Sequence, residues 1–153
     1  MPEMQTSYSD RQPTFLEGQK VDGREYDAET MICQGAPLAF GRPVARGGAD
    51  KQCILLTAAN AAKFKGVTVR DVSVRPSAGG MYPVGGNVTV LTKGPIAVRV
   101  TGAVSADDVA RFDTAAERFT AAAEGGDVVA FGGDRWKFDS AAADGGLAVL
   151  IKV

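Results

Sequence analysis

The sequence predicts an all-β fold: a small β-barrel or jelly-roll-like sandwich with an extended N-terminal arm. Three observations carry that reading. Short runs of alternating apolar and polar residues recur along the chain, the signature of half-buried strands. Gly-Gly pairs at 47–48, 79–80, 85–86, 125–126, 132–133 and 145–146 separate them, in a chain holding 19 glycines; such pairs mark tight turns. The length, 153 residues, suits one domain with a core of its own.

Residues 1–30 stand apart. They are polar, carry Pro2, Pro13, Gly18 and Gly23, and keep neither a helix nor a strand period. They read as an extended arm, with residues 31–153 as a single barrel or sandwich domain. The arm is either a plain tail or a segment that orders on a partner, with Tyr8, Phe15 and Leu16 as apolar anchors.

Within the domain, Met31–Cys33 opens the strand signal. Residues 36–46 hold two prolines and a glycine and suit an edge or a connection better than a central strand. Cys53–Thr57 is a short apolar run, and Asn60–Gly66 suits one helical turn closed by its glycine. In residues 66–75, Val67 and Val69 differ in parity from Val72 and Val74. Both pairs can face one core only around a β-bulge, placed at Arg70-Asp71. Asn87–Leu91 and Ile96–Val100 flank Thr92-Lys93-Gly94-Pro95 and read as a hairpin whose valines share one core. Arg135–Asp139 and Leu147–Val153 close the chain as strands.

Residues 104–124 are ambiguous. Ser105-Ala106-Asp107-Asp108 looks like a capping box, and Val109, Phe112, Ala116 and Phe119 recur at roughly helical spacing. The preferred reading is strands near 109–113 and 118–121 joined by a turn at 114–117.

Charge and chemistry exclude much. Net charge is −1, so no global field draws the chain to nucleic acid or to a membrane surface. The charge is graded: residues 1–30 carry three basic and seven acidic groups, 31–100 nine and two, and 101–153 five and nine. The basic middle can pair within the chain, between subunits or with an acidic shell, though solvated faces are the preferred explanation. The absence of histidine removes the usual nucleophile–histidine catalysis and histidine zinc sites. Two cysteines, Cys33 and Cys53, are too few for a Cys₄ site and sit in apolar surroundings as reduced core residues. Gly79–Gly86 lacks the lysine and hydroxyl of a phosphate loop and reads as a turn. Asp107-Asp108 reads as a cap or turn before an acid–base or calcium pair, and Asn87-Val88-Thr89 as part of a strand before a glycosylation site. No catalytic residue, cofactor site or metal site is expected.

Four segments in order resemble the bacteriophage structural cement protein family: Pro37–Gly47, Phe64–Val74, Tyr82–Val98 and Phe138–Val149. The likeness covers about residues 35–153. It implies a non-enzymatic, all-β, oligomeric subunit (a dimer or trimer) on the outer surface of the virion capsid. Such a subunit is made in the bacterial host cytoplasm and holds neighbouring major capsid proteins together. This chain departs from the family pattern at Asp107-Asp108-Val109 and Ala115-Ala116-Glu117, where a glycine-rich strand start and turn are usual, and its helical look arises there. The expected partner-binding residues are Tyr8, Arg11, Phe15, Leu16, Arg42 and Arg46. The runner-up function is a carbohydrate- or ligand-binding β-module with Trp136 or Tyr82 as the stacking platform.

Overall fold

The computed structural model describes residues 15–73 and 80–152, and within them eleven strands. β1 (Asp27–Cys33), β2 (Pro43–Arg46), β3 (Gln52–Leu55), β4 (Phe64–Thr68) and β5 (Asn87–Lys93) close a barrel in the order β1-β3-β2-β4-β5. Every pairing in it is antiparallel except β1 with β3. β6 (Ile96–Arg99) joins β10 (Trp136–Phe138) and β11 (Leu147–Lys152) in one three-stranded sheet. β7 (Arg111–Asp113), β8 (Arg118–Thr120) and β9 (Val128–Val129) form another. The fold is all-β, and its main sheet is a closed barrel.

Two apolar clusters hold it together. The first draws on β1, β2, β3 and β5 with Leu38, Phe40 and Tyr82, and includes Met31, Cys33, Val44, Cys53, Val88 and Val90. The second joins the barrel to the small sheets through Val67, Leu91, Ile96, Val98, Phe112, Phe119, Trp136 and Leu150, among others. Adjacent residues thus serve different cores. Val90 belongs to the first and Leu91 to the second, as the two-residue side-chain period requires of a strand buried on both faces. An aromatic chain knits the second cluster. Phe112 meets Phe119 at 5.6 Å, Phe119 meets Phe131 at 5.8 Å, and Phe64 meets both Phe131 (4.8 Å) and Trp136 (5.8 Å).

Residues 104–124 are β-structure, close to the expected bounds. Phe112 and Phe119 are direct cross-strand partners and almost fully buried. The turn between them is built by Asp113, whose carboxylate accepts from the amides of Ala115 and Ala116 at 3.0 Å each. Such local bonds compete with helical ones, and Glu117 closes the turn at φ 52°. Only half of the capping box forms: the Asp108 carboxylate accepts from the Ser105 amide at 2.9 Å, but the Asp108 amide donates to the Ser105 backbone carbonyl at 3.2 Å, a turn bond, and not to its hydroxyl. Asp107 beside them sits at φ 72°, so a turn follows and not a helix.

Four expectations need correction. β5 and β6 are not a hairpin: β1 and β4 already occupy both edges of β5, so β6 crosses to β11. Gly94, at φ 116°, makes that break, and a Cβ there would lie 2.5 Å from the Tyr26 Cβ. There is no strand through Arg70-Asp71. β4 ends at Thr68, and Asp71 instead accepts from the Ser73 amide in a tight turn. Val72 is 98% exposed there, while Val74 lies outside the described residues. Residues 43–46 form the central strand β2, between β3 and β4. Pro43 is tolerated because it is the first residue of the strand. Finally, the helical turn at 60–66 is a short 3₁₀ turn at Ala61–Lys63, and Gly66 lies within β4. A Cβ on Gly66 would come within 2.1 Å of the Leu91 carbonyl oxygen, so glycine is what lets β4 approach β5.

Candidate functional site

Of the six expected partner-binding residues, Tyr8 and Arg11 lie outside the described residues. The structure ties Arg42 to Glu17, the residue that follows Phe15 and Leu16, and places Arg46 in a separate recess. The chain reverses at Leu16–Gln19, where the Gln19 amide donates to the Leu16 carbonyl at 3.0 Å. Residues 18–20 then run along β6. The Gly18 amide donates to the Ala97 carbonyl at 2.7 Å, the Ala97 amide donates to the Gln19 carbonyl at 2.9 Å, and Lys20 bridges Ile96. An otherwise open edge of β6 is thereby covered, which suppresses unwanted strand pairing. Gly18, at φ 79°, is buried against Gly41 and Phe40; a Cβ there would fall 2.8 Å from each.

Glu17 fixes this root electrostatically. Its carboxylate takes Arg42, with both side chains below 20% exposure, and the Arg99 Nε lies 3.7 Å away. Its carbonyl accepts from the Arg70 Nε at 2.8 Å. Arg42 also points at the Phe40 carbonyl, and its Nε has no hydrogen-bond partner among the described residues. Arg42 therefore holds the root of the N-terminal segment inside the molecule. Beside it opens an apolar groove of about 410 Å³, lined by Pro37, Leu38, Ile54, Leu55 and Met81 among others. Leu16 remains 53% exposed and Phe15 half-buried.

Arg46, at the far end of β2, is exposed in a recess with Lys51, Lys65, Asp50 and Glu29. Glu29 lies 3.1 Å from Lys65 and 3.8 Å from Lys51, so the recess carries net positive charge. The Glu17–Arg42–Arg99 cluster was not anticipated from sequence, because its members are spread over more than eighty positions. The only hint was an acidic residue in an arm and arginines in a basic middle.

Neither proposed stacking platform is available. Trp136 is 2% exposed and Tyr82 fully buried, the Tyr82 hydroxyl donating to the Val69 carbonyl. Alternation had rightly paired Trp136 with Phe138 as inward residues, with Lys137 between them half-exposed. Cys33 and Cys53 are free, buried register partners on β1 and β3. Burial pushes the Cys53 thiol up to about 11, and the Cys33 thiol is raised by the same cause. Among the described residues no group of Cys, Asp and Glu is placed to hold a metal ion, and no helix is long and apolar enough to cross a membrane.

The chain matches the structural cement protein family (E217 gp24/Pam3 gp6) over residues 4–151. No curated protein matches it. Its fold is similar to that of a chain in the solved structure "The capsid of Myoviridae Phage XM1", with a TM-score of 0.74 and 16% identity, covering 99% of this chain and 97% of that one. At that identity the likeness speaks for the fold alone. The family match spans nearly all of the sequence, the arm included, and on it the chain belongs to the phage structural cement proteins.

Proposed function

We propose that this protein binds the outer surface of a phage head and stabilises contacts between neighbouring major capsid proteins. The observation that carries the reading is the family match over residues 4–151, which supports a capsid-associated structural role without catalysis. The architecture suits such a role. A closed barrel presents no free edge in its main sheet, and β6 is covered by residues 18–20. Closing those edges reduces edge-to-edge pairing, as suits a chain held at high copy number on a shell.

In this reading the partner-facing part of the arm is the stretch up to Leu16, anchored at Glu17. Its apolar residues Tyr8, Phe15 and Leu16 would each contribute roughly 1.5–3 kcal/mol when buried in a neighbour. Ordering the backbone costs about 1–2 kcal/mol per residue, which over the stretch from Tyr8 to Leu16 equals or exceeds that gain. Single arms then bind weakly, and firm attachment needs several subunits engaged at once, which favours a homo-oligomer. The test is a reconstruction of stripped shells incubated with the protein. Added density outside the shell, bridging adjacent capsid subunits, is expected. Density inside the shell, or none, contradicts the reading.

A further inference from the structure

Three cations far apart in sequence converge on one cleft. Lys65 of β4, Arg135 just before β10 and Lys152 of β11 line a space of about 410 Å³ whose floor is Phe64 and Trp136. They meet because the Phe64 ring stands edge-on to Trp136 at 5.8 Å, and Trp136 is the register partner of Lys152. No carboxylate among the described residues lines the cleft. Lys65 is shared with Glu29 at 3.1 Å. Arg135 and Lys152 are exposed and form no ion pair among the described residues. Gly132 keeps the floor open: at φ 62°, a Cβ there would lie 2.7 Å from the Trp136 Cδ1 and 3.1 Å from its Nε1.

We propose that this cleft binds carboxylate side chains of an acidic protein segment presented by the capsid shell. The inference deepens the capsid-binding reading and rests on it. A carboxylate accepts hydrogen bonds only, and here it meets two flexible ammonium donors and one guanidinium fork. A nucleic acid is the poorer fit. Its backbone needs a track of cations, whereas these three are closely set, with Glu29 and Asp134 nearby, in a chain of net charge −1.

Trp136 is the only tryptophan, so intrinsic fluorescence reports directly on the cleft floor. The full chain is titrated with an oligoglutamate peptide, an oligolysine peptide and a single-stranded DNA oligonucleotide. Oligoglutamate should give a saturable emission change that added salt suppresses. In the double variant R135Q/K152Q binding should weaken about three- to tenfold, with an unchanged melting temperature. The proposal is overturned by no saturable change, by equal binding in the variant, or by tighter binding of the oligonucleotide. Stripped shells separate this inference from the reading beneath it. If wild type and R135Q/K152Q decorate shells equally well, the cleft proposal fails alone. If wild type does not bind shells, the capsid reading fails with it.

Discussion

Arg42 and Arg46 lie four residues apart, yet they occupy opposite environments. Arg42 is ion-paired to Glu17 and largely buried, while Arg46 is exposed in a basic recess. Removing one partner of a mostly buried pair strands the other charge, so Arg42→Ala should cost about 1–3 kcal/mol. At this chain length that is roughly 2–4 °C of melting temperature per kcal/mol. Arg46→Ala should stay within about 0.5 kcal/mol. Calorimetry on both variants checks the contrast, and equal losses would mean that Arg42 does not hold the arm's root. Cys53 makes a second residue-scale prediction. Its thiol ionises near 11 in the folded protein against an ordinary value of 9.0, so the unfolded chain releases that proton first as pH rises. The stability tied to the neutral thiol is therefore complete below about pH 9 and is lost between about 9 and 11. Cys53→Ala should flatten the fall in melting temperature across that window, whatever its cost at neutral pH. An unchanged slope would place the thiol in contact with water.

At the scale of elements, the N-terminal segment has two parts with different duties. Residues 17–20 complete the edge of β6 and pair with Arg42 and Arg99, whereas residues 1–14 precede that anchor. Deleting 1–14 should leave the melting temperature within about 2 °C. Deleting 1–22 should lower it by several degrees, through the exposed strand edge and the orphaned Arg42. Equal melting temperatures would show that the edge cover adds nothing. Legibility in the sequence divides along the same lines. Alternation located most strands, including Arg111–Asp113 and Arg118–Thr120 inside a stretch with helical spacing. It could not say which strands pair, because pairing depends on which edges remain open after closure, and β5 had none left for β6. Val72 misled for a related reason: parity implies burial only while the chain stays extended, and the turn of Asp71 ends that. At the candidate site only residue type was legible, Phe15 and Leu16 as an apolar pair in a polar arm and Arg46 as one cation of the basic middle. The burial of Arg42 and the convergence of Lys65, Arg135 and Lys152 were invisible, being products of tertiary contact.

For the whole molecule, two cores arranged around one closed barrel give a body to which Glu17 is tied by Arg42. Such a body suits a cement role, in which a subunit reinforces a shell by binding the assembled form more tightly than its dissociated parts. Stabilisation then grows with the concentration of free protein and needs no catalysis. The most direct measurement is thermal disassembly of stripped shells, followed by light scattering across a series of added protein concentrations. The disassembly midpoint should climb with concentration and level off when the shell is saturated. Protein that binds to saturation while the midpoint stays where it was would contradict the cement role.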